Sequence, residues 1–163
     1  MNKEYIKGAL IGKGVRVRPS TVHGYGVFAT KKFLPGDVIE ECPLIMLKKS
    51  EPIFVLNDFA FKWNDDFHAL ALGYGSLYNH ANDNNTKHYH DHDRRLLIFK
   101  AKKTIYPGDE IFTNYSREWF TARGVEIIEP SKKINRRRLI RFLVGLGILI
   151  IIWAIISSGR FVL

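Results

Sequence analysis

The sequence predicts a mainly β domain followed by a C-terminal transmembrane α-helix. Short apolar segments separated by Gly and Pro turns occupy most of the chain, a pattern typical of a compact β domain with few short helices. A long uncharged apolar run near the C-terminus predicts the transmembrane helix. The 163 residues are enough for one domain with its own core and an appendage.

The strands of the first half are predicted from alternation and from turn residues. Residues 15–18 read Val-Arg-Val-Arg, which suits a strand with one buried face. Residues 23–26 form a glycine turn, and residues 27–29 resume extended structure. Aromatic side chains at every second position between 59 and 63 predict a strand with an aromatic face. Residues 67–72 are too short for periodicity to separate strand from helix, so both alternatives stay open.

The second half contains a buried strand and a turn that repeats an earlier one. Residues 96–101 are an apolar run of the kind that forms a buried strand. Pro107-Gly108 precedes the last predicted strand in the same way that Pro35-Gly36 precedes an earlier one. Pro followed by Gly fits the centre of a type II turn, because the second position needs a positive φ.

A polar corner is predicted at residues 78–85, which read Tyr-Asn-His-Ala-Asn-Asp-Asn-Asn and follow an apolar segment. Asn and Asp tolerate left-handed backbone and form local side-chain hydrogen bonds, so the corner should be tight and irregular. The amide of Asn79 and the imidazole of His80 can present donors and acceptors to a ligand. The alternative interpretation is an ordinary polar loop.

Three stretches, taken together, resemble the SET domain of protein-lysine methyltransferases. Residues 24–26 match its Gly-x-Gly pattern, residues 79–85 its Asn-His-Ser-x-x-Pro-Asn pattern, and residues 108–115 its Gly-Glu-Glu-Leu/Ile-x-x-x-Tyr pattern. The resemblance covers about residues 14–120 and is closest to the small viral SET proteins. The sequence departs from the family pattern at three positions, which are Ala81 for Ser, Asn84 for Pro and Asp109 for Glu.

The resemblance implies a fold, an activity and a set of site residues. The SET fold consists of small β-sheets with knot-like threading, and its enzymes transfer a methyl group from S-adenosylmethionine to a lysine of a protein, including histone tails. Tyr115 is implied as the catalytic residue, with its hydroxyl close to the transferring methyl. The cofactor-binding residues implied by the same motifs are Gly24, Tyr25, Gly26, Asn79, His80 and Tyr115, with Trp119 against the adenine. Small viral SET proteins also form dimers, so a homodimer is a further possibility.

Two other kinds of site are considered. A single cysteine, Cys42, excludes a disulfide framework and the cysteine-rich zinc cluster that closes many SET active sites, so the Trp119-Phe120 pair is a candidate to close this one. The histidines at 88, 90 and 92 would share one strand face, which makes a metal site conceivable, although an ordinary exposed hairpin is the favoured interpretation. Methyl transfer needs no metal, and none is predicted.

The C-terminal end predicts a membrane anchor. Residues 142–159 carry no charge and would form a helix about 27 Å long, close to the roughly 30 Å of a bilayer core. Basic residues cluster just before this run, and Lys and Arg favour the cytoplasmic flank. The sequence therefore predicts a single-pass, tail-anchored protein whose domain faces the cytosol. Its predicted parts are an N-terminal extension (1–13), the SET domain (14–120), a basic linker (121–138) and a transmembrane helix (139–159).

The charge distribution bears on partners. The net charge is +9, but seven basic residues and no acid lie in residues 132–163, so the globular part is nearly neutral. We therefore expect no direct nucleic-acid binding by the domain. Two alternatives to an enzyme stay open, namely a non-catalytic, membrane-anchored SET-like module that binds peptide or cofactor, and a membrane adaptor that acts through its basic segment.

Overall fold

The computed structural model describes residues 12–130. These residues form nine strands and one short α-helix. The strands are β1 (Val15–Pro19), β2 (Tyr25–Ala29), β3 (Val38–Lys48), β4 (Ala60–Lys62), β5 (Phe67–Ala71), β6 (Asn79–His80), β7 (Thr86–Asp91), β8 (Leu96–Ala101) and β9 (Glu110–Thr113), and the helix is α1 (Arg117–Arg123). The 3₁₀ turns Phe54–Asp58 and Gly75–Leu77 complete the described elements. The predicted mainly β class is confirmed.

The strands form two sheets. The first has the order β1-β2-β9-β6, and the second has the order β4-β5-β3-β8-β7. Every pairing is antiparallel except that between β6 and β9, which is parallel. Residues from both sheets are fully buried in one apolar cluster, including Val27, Ile39, Phe99 and Ile111. Burial of this shared cluster is the main force that holds the two sheets together.

The long strand β3 organises the second sheet. Its first half pairs with β8, and its second half pairs with β5. Residues 67–71 therefore form a strand, which decides the alternative that the sequence left open at 67–72. The predicted aromatic strand is shorter than expected, because only residues 60–62 pair with β5, while Phe59 ends the preceding 3₁₀ turn.

The two Pro-Gly turns have the same local structure. Gly36 and Gly108 have φ values of 93° and 91°, as the type II interpretation requires. In each turn an aspartate accepts a backbone N–H, from Leu34 to Asp37 and from Tyr106 to Asp109. The residues before the turns pair in an antiparallel bridge between Phe33 and Ile105, so the two turns lie side by side.

Several predicted segments lie wholly or partly outside the described residues. The transmembrane helix at 139–159 lies wholly outside, as do residues 1–11 of the N-terminal extension and residues 131–138 of the linker. Between residues 12 and 130, no helix is long and apolar enough to cross a bilayer. The predicted domain boundary at residue 120 falls inside α1, and a compact unit of the chain ends at Pro130.

Candidate active site

Strand β9 brings the three motif stretches together. It pairs in parallel with β6, where Asn79 faces Phe112 and His80 faces Thr113. It pairs in the antiparallel sense with β2, directly after the glycine turn, where Val27 faces Ile111. Because one four-residue strand contacts both partners, residues far apart in the sequence meet at one end of the first sheet.

Asn79 anchors the glycine turn to the polar corner. Its Nδ2 atom lies 3.0 Å from Oε1 of Glu110 and 3.1 and 3.2 Å from the carbonyl oxygens of Tyr25 and His23. The second carboxylate oxygen of Glu110 accepts a 3.1 Å bond from the Ser20 hydroxyl. These bonds fix the turn against the corner, so both elements are held in position without a ligand.

The glycine turn offers an open backbone surface. Gly24 has a φ of 45°, and a Cβ added to it would meet no atom within 4 Å. The neighbouring Tyr25 side chain is 65% exposed. At Gly26, by contrast, a Cβ would lie 2.0 Å from Oε1 of Glu110, so only glycine fits there. The turn therefore combines a tightly packed glycine with one that leaves room for a ligand to approach the backbone.

His80 is buried, with 6% of its surface exposed. Its Nδ1 atom accepts a 3.1 Å bond from the backbone N–H of Tyr115, which assigns the proton to Nε2 in the neutral ring. Nε2 is buried and has no hydrogen-bond partner among the described residues. Burial lowers the pKa of His80, against smaller opposing effects of the Glu129 carboxylate and the Asn82 side chain, so the ring is neutral at pH 7. It thus holds an unused donor beside the corner.

Tyr115 connects the corner to a large cavity. Its hydroxyl donates a 2.7 Å bond to the carbonyl oxygen of Tyr78, and its ring lies 5.6 Å from that of His80. Burial, together with the nearby Glu110 carboxylate, raises the pKa of Tyr115 to about 12. The hydroxyl therefore keeps its proton at neutral pH, and it can act as a fixed hydrogen-bonding group but not as a base.

The cavity beside Tyr115 has a volume of about 670 Å³. Its charged residues include Asp58 and Arg123, which form an ion pair at 2.7 Å. Burial lowers the pKa of His88 to about 4, with smaller effects of His90 and Lys87, so this imidazole is neutral at pH 7. The rings on the wall are Phe59, Phe61, Trp63, Tyr78, Tyr115 and Trp119, with the imidazoles His68, His88 and His90. Desolvation by such a lining favours a neutral amine over an ammonium ion, whereas the ring faces and the carboxylates of Asp58 and Glu118 act in the opposite direction.

Trp119 and Phe120, the aromatic pair predicted to close the site, contact different parts of it. Trp119 lines the cavity, and the guanidinium of Arg123 lies 4.3 Å above its ring. Phe120 instead contacts His80, with its ring edge-on at 4.7 Å. Gly24, Tyr25, Gly26, Asn79 and His80 are not among the residues that line the cavity. The described structure therefore has two adjoining regions, the turn and corner on one hand and the aromatic cavity on the other, which share Tyr115.

The departures from the family pattern leave the corner well held. Ala81 is buried, and its N–H donates a 3.1 Å bond to the carbonyl oxygen of Thr113. The Asn84 amide donates to the backbone of Thr86, and its oxygen accepts from Lys102. Side-chain hydrogen bonds thus constrain the position where proline would have fixed one backbone angle.

The histidines at 88, 90 and 92 pack against aromatic rings. His88 and His90 belong to β7, and His92 follows that strand directly. The His88 ring lies 5.3 Å from Phe61, and Trp63 lies 5.0 Å from His90 and 4.4 Å from His92. Within residues 12–130, no group of three or more His, Cys, Asp or Glu side chains could hold a metal ion.

Sequence reasoning missed two features of the site. Glu40 is fully buried and accepts bonds from the Tyr78 hydroxyl at 2.8 Å and from the backbone N–H of Tyr74 at 3.1 Å. A glutamate inside the apolar segment 38–47 was the available signal. The Arg123–Asp58 pair had no such signal, because the two residues are 65 positions apart and belong to no motif.

The SET domain family model matches residues 24–116, which is more than half of the chain. The chain therefore belongs to the SET-domain family, a class of S-adenosylmethionine-dependent protein-lysine methyltransferases. It is 27% identical over 132 residues to a histone-lysine N-methyltransferase of Schizosaccharomyces pombe described as specific for lysine 37 of histone H3, covering 76% of this chain and 90% of that protein. A crystal structure of a candidate histone methyltransferase from Plasmodium falciparum is similar with a TM-score of 0.58 and 28% identity, covering 68% of this chain and 99% of that one. The closeness to small viral SET proteins stays a prediction.

Proposed function

We propose that this chain methylates a lysine of a protein substrate, with S-adenosylmethionine held by the glycine turn and the Asn79-His80 corner. The target lysine enters the aromatic cavity and meets the cofactor at Tyr115. The observation that carries this proposal is the double connection of Tyr115, whose backbone N–H binds the His80 ring and whose own ring lines the cavity. Of the other residues of the implied site, Trp119 lines the cavity only, and Gly24, Tyr25, Gly26, Asn79 and His80 do not line it.

The residues present fit the methyl donor. The turn supplies open backbone at Gly24 and an exposed ring at Tyr25, and the corner supplies the unpaired Nε2 donor of His80. When bound, S-adenosylmethionine supplies an electrophilic methyl group on a positively charged sulfur. The contribution of Asn79 is to hold the turn at a fixed distance from the corner, which reduces the entropy cost of cofactor binding.

The cavity prepares the lysine for attack. A lysine amine in water has a pKa of about 10.4 and is almost entirely protonated at pH 7. Aromatic rings and the neutral imidazole of His88 surround it here, so desolvation favours the neutral amine that can attack. The Tyr115 hydroxyl and the Tyr78 carbonyl oxygen provide a fixed polar point where the amine can be oriented toward the methyl group.

The test is methyl transfer by the full chain and by Tyr115→Phe, with radiolabelled methyl donor and a protein extract that contains histones. Tyr115→Phe should lower the rate about 100-fold, the usual effect of removing one preorganised donor, while cofactor binding measured by calorimetry persists. Tyr89→Phe is the matched control, because Tyr89 lies on β7 and does not line the cavity. Cofactor binding without labelling by either form would instead support the non-catalytic binding module.

The substrate is proposed at the level of a class. Both relatives carry names that refer to histones, which supports a histone tail as one candidate. A cytosolic or membrane-associated protein is an equal candidate, because the proposed anchor would keep the domain at a membrane. The proposed anchor is residues 139–159, with the SET domain on the cytosolic side, and it rests on the uncharged apolar run and the basic cluster that precedes it. A homodimer stays a prediction.

A further inference from the structure

Four large apolar side chains are exposed in one short segment. Phe54, Val55, Leu56 and Phe59 are 83%, 66%, 41% and 43% exposed, and we call the segment that carries them, residues 54–59, the apolar turn. Three of them belong to the 3₁₀ turn Phe54–Asp58, and Phe59 follows it directly. Single exposed apolar residues are ordinary on protein surfaces, but a contiguous group of this kind marks a binding surface.

The apolar turn is continuous with the cavity. Asn57, Asp58 and Phe59 line the cavity, and the other members of the apolar turn come immediately before them. Phe54 has a φ of 39°, a backbone conformation that a phenylalanine rarely adopts. Residues in such conformations concentrate at binding and catalytic sites. The location and the backbone of this segment therefore both connect it with the cavity.

Arg123 holds the apolar turn in place. Its Nε atom bonds Oδ1 of Asp58 at 2.7 Å, and its Nη2 atom bonds the carbonyl oxygen of Asn57 at 2.7 Å. Its guanidinium also covers the ring of Trp119, which lies one turn earlier on the same helix α1. The turn is thus fixed to α1 at the cavity, so a ligand that binds it loses less entropy than one that must order a loose loop. The charges of Arg123 and Asp58 cancel each other, so this pair adds no net charge to the cavity wall beside the apolar turn.

We propose that the apolar turn binds a large aliphatic or aromatic side chain of the substrate, close in sequence to the target lysine. The preferred substrates are then protein segments in which the lysine has an apolar neighbour, rather than segments with only polar and basic neighbours. A 3₁₀ turn rises about 2 Å per residue, and an extended peptide advances about 3.3 Å per residue. From Phe59 to Phe54 the turn spans about 10 Å, the length of about three extended residues, so the test places the apolar side chain three residues from the lysine. This inference rests on the proposed function.

The test compares two lysine peptides that differ only at the third residue on each side of the lysine, which is Leu in one and Ser in the other. The full chain in detergent micelles should methylate the Leu peptide with a kcat/KM about tenfold higher, the effect of burying part of one large apolar side chain. Phe54→Ser should bring this ratio close to one. Tyr89→Ser is the matched control, since Tyr89 is 45% exposed and lies outside the cavity, and it should keep the ratio.

Each outcome decides the proposal. Phe54 and Val55 are exposed, so both single variants should fold, and Val55→Ser gives a second measurement whose ratio should also fall. A wild-type ratio of one, with both peptides methylated, overturns this inference and leaves the methyltransferase proposal standing. Methylation of neither peptide, while proteins of the extract are labelled, overturns this inference alone, and labelling of neither the peptides nor the extract overturns both. An unchanged ratio in both variants overturns the inference. Altered retention on vesicles would then assign the surface to a bilayer, and an altered mass in light scattering would assign it to a second copy of the chain.

Discussion

Gly26 shows how a single residue limits the site. A Cβ at this position would lie 2.0 Å from Oε1 of Glu110 and 3.1 Å from Nδ2 of Asn79. Glu110 cannot move away freely, because its other oxygen accepts a bond from Ser20. The glycine is therefore required for packing, whereas the neighbouring Gly24 is unobstructed and open to a ligand.

The first prediction concerns Gly26→Ala. The substitution should separate Glu110 from Asn79 and displace the glycine turn, so the dissociation constant for S-adenosylmethionine should rise at least tenfold in calorimetry. Gly36→Ala is the control, since it lies in a different turn at a positive φ and has no atom within 4 Å of the added Cβ. It should cost about 1–2 kcal/mol of stability through backbone strain and leave cofactor binding intact. Equal cofactor affinity in Gly26→Ala and the wild type would contradict this reasoning.

Residue identity made part of the site predictable. Gly24, Asn79, His80 and Tyr115 were named from three short motifs, because each motif needs a particular side chain or a glycine at a set spacing. Arg123 was not predictable in this way. An arginine is common on any surface, and only its contacts with Asp58 and Asn57 distinguish it. Such contacts depend on the path of the chain between the partners, which the local sequence does not state.

At the scale of elements, the cavity is built where the 3₁₀ turn Phe54–Asp58 meets α1. The α1 helix has only seven residues, and such a short helix has little stability of its own. Its position depends on side-chain contacts, namely Trp119 against Tyr115 at 4.9 Å and Arg123 against Asp58. The geometry of the cavity therefore depends on an ion pair between two short elements.

The second prediction tests this junction with Arg123→Gln, Asp58→Asn and the double variant. KM for a protein substrate should rise several-fold in each single variant, with kcat and cofactor affinity little changed, because the rim loosens while Tyr115 stays in place. The coupling energy from the double-mutant cycle should be about 0.5–1 kcal/mol, since both side chains are partly exposed. Lys48→Gln, which breaks an exposed pair with Glu51, should change none of these values. Additive effects of the two single variants would show that the pair does not act as a unit.

Element prediction from sequence was accurate where the signal was local. Positive φ at Gly36 and Gly108 followed from Pro-Gly pairs, and the buried strand at 96–101 followed from its apolar run. The strand at 67–71 was open in the sequence, because a short apolar run has no distinguishing period. Pairing with β3 decided it, since both edges of β5 find hydrogen-bond partners in the sheet.

At the scale of the whole molecule, stability should depend on pH through histidines whose pKa the fold lowers. Burial is the leading cause that lowers the pKa of His68, His80, His88 and His90, and the value for His88 falls to about 4. The unfolded chain binds these protons near pH 6.5, whereas the folded chain does not bind the His88 proton until about pH 4. Stability is thus fully present above pH 6.5 and falls as the pH drops toward 4.

The third prediction follows from this sign. Thermal melts should show a lower Tm at pH 5 than at pH 7.5, and His88→Phe should reduce the difference between the two values. One pKa unit corresponds to about 1.4 kcal/mol, so His88 alone contributes roughly 3 kcal/mol over the whole range. His92→Gln, at the exposed end of the same hairpin, is the control. The same pH dependence in His88→Phe and the wild type would assign the effect to other groups.

The fourth prediction concerns the proposed anchor. A chain that ends at Ser131 should lose retention on membranes in cell fractionation, because it lacks the uncharged run at 142–159. It should retain methyl transfer, since the described site lies within residues 12–130. A protease should be added to sealed membrane vesicles whose cytosolic face points outward. It should digest the SET domain of the full chain, because the proposed orientation places that domain on the cytosolic face. Equal membrane retention of the two chains would rule out the anchor.

The sequence by itself determined the fold class, the turns and the identities of the motif residues, because these depend on composition, local periodicity and short spacings. Only the tertiary structure decided that β6 pairs in parallel with β9, that Tyr115 serves both the corner and the cavity, and that Arg123 joins α1 to the apolar turn. The physical reason is the range of the interactions. A turn or a strand is specified by neighbouring residues, whereas a pairing across 30 or more residues depends on which arrangement of the whole chain buries the shared apolar core and satisfies its backbone hydrogen bonds.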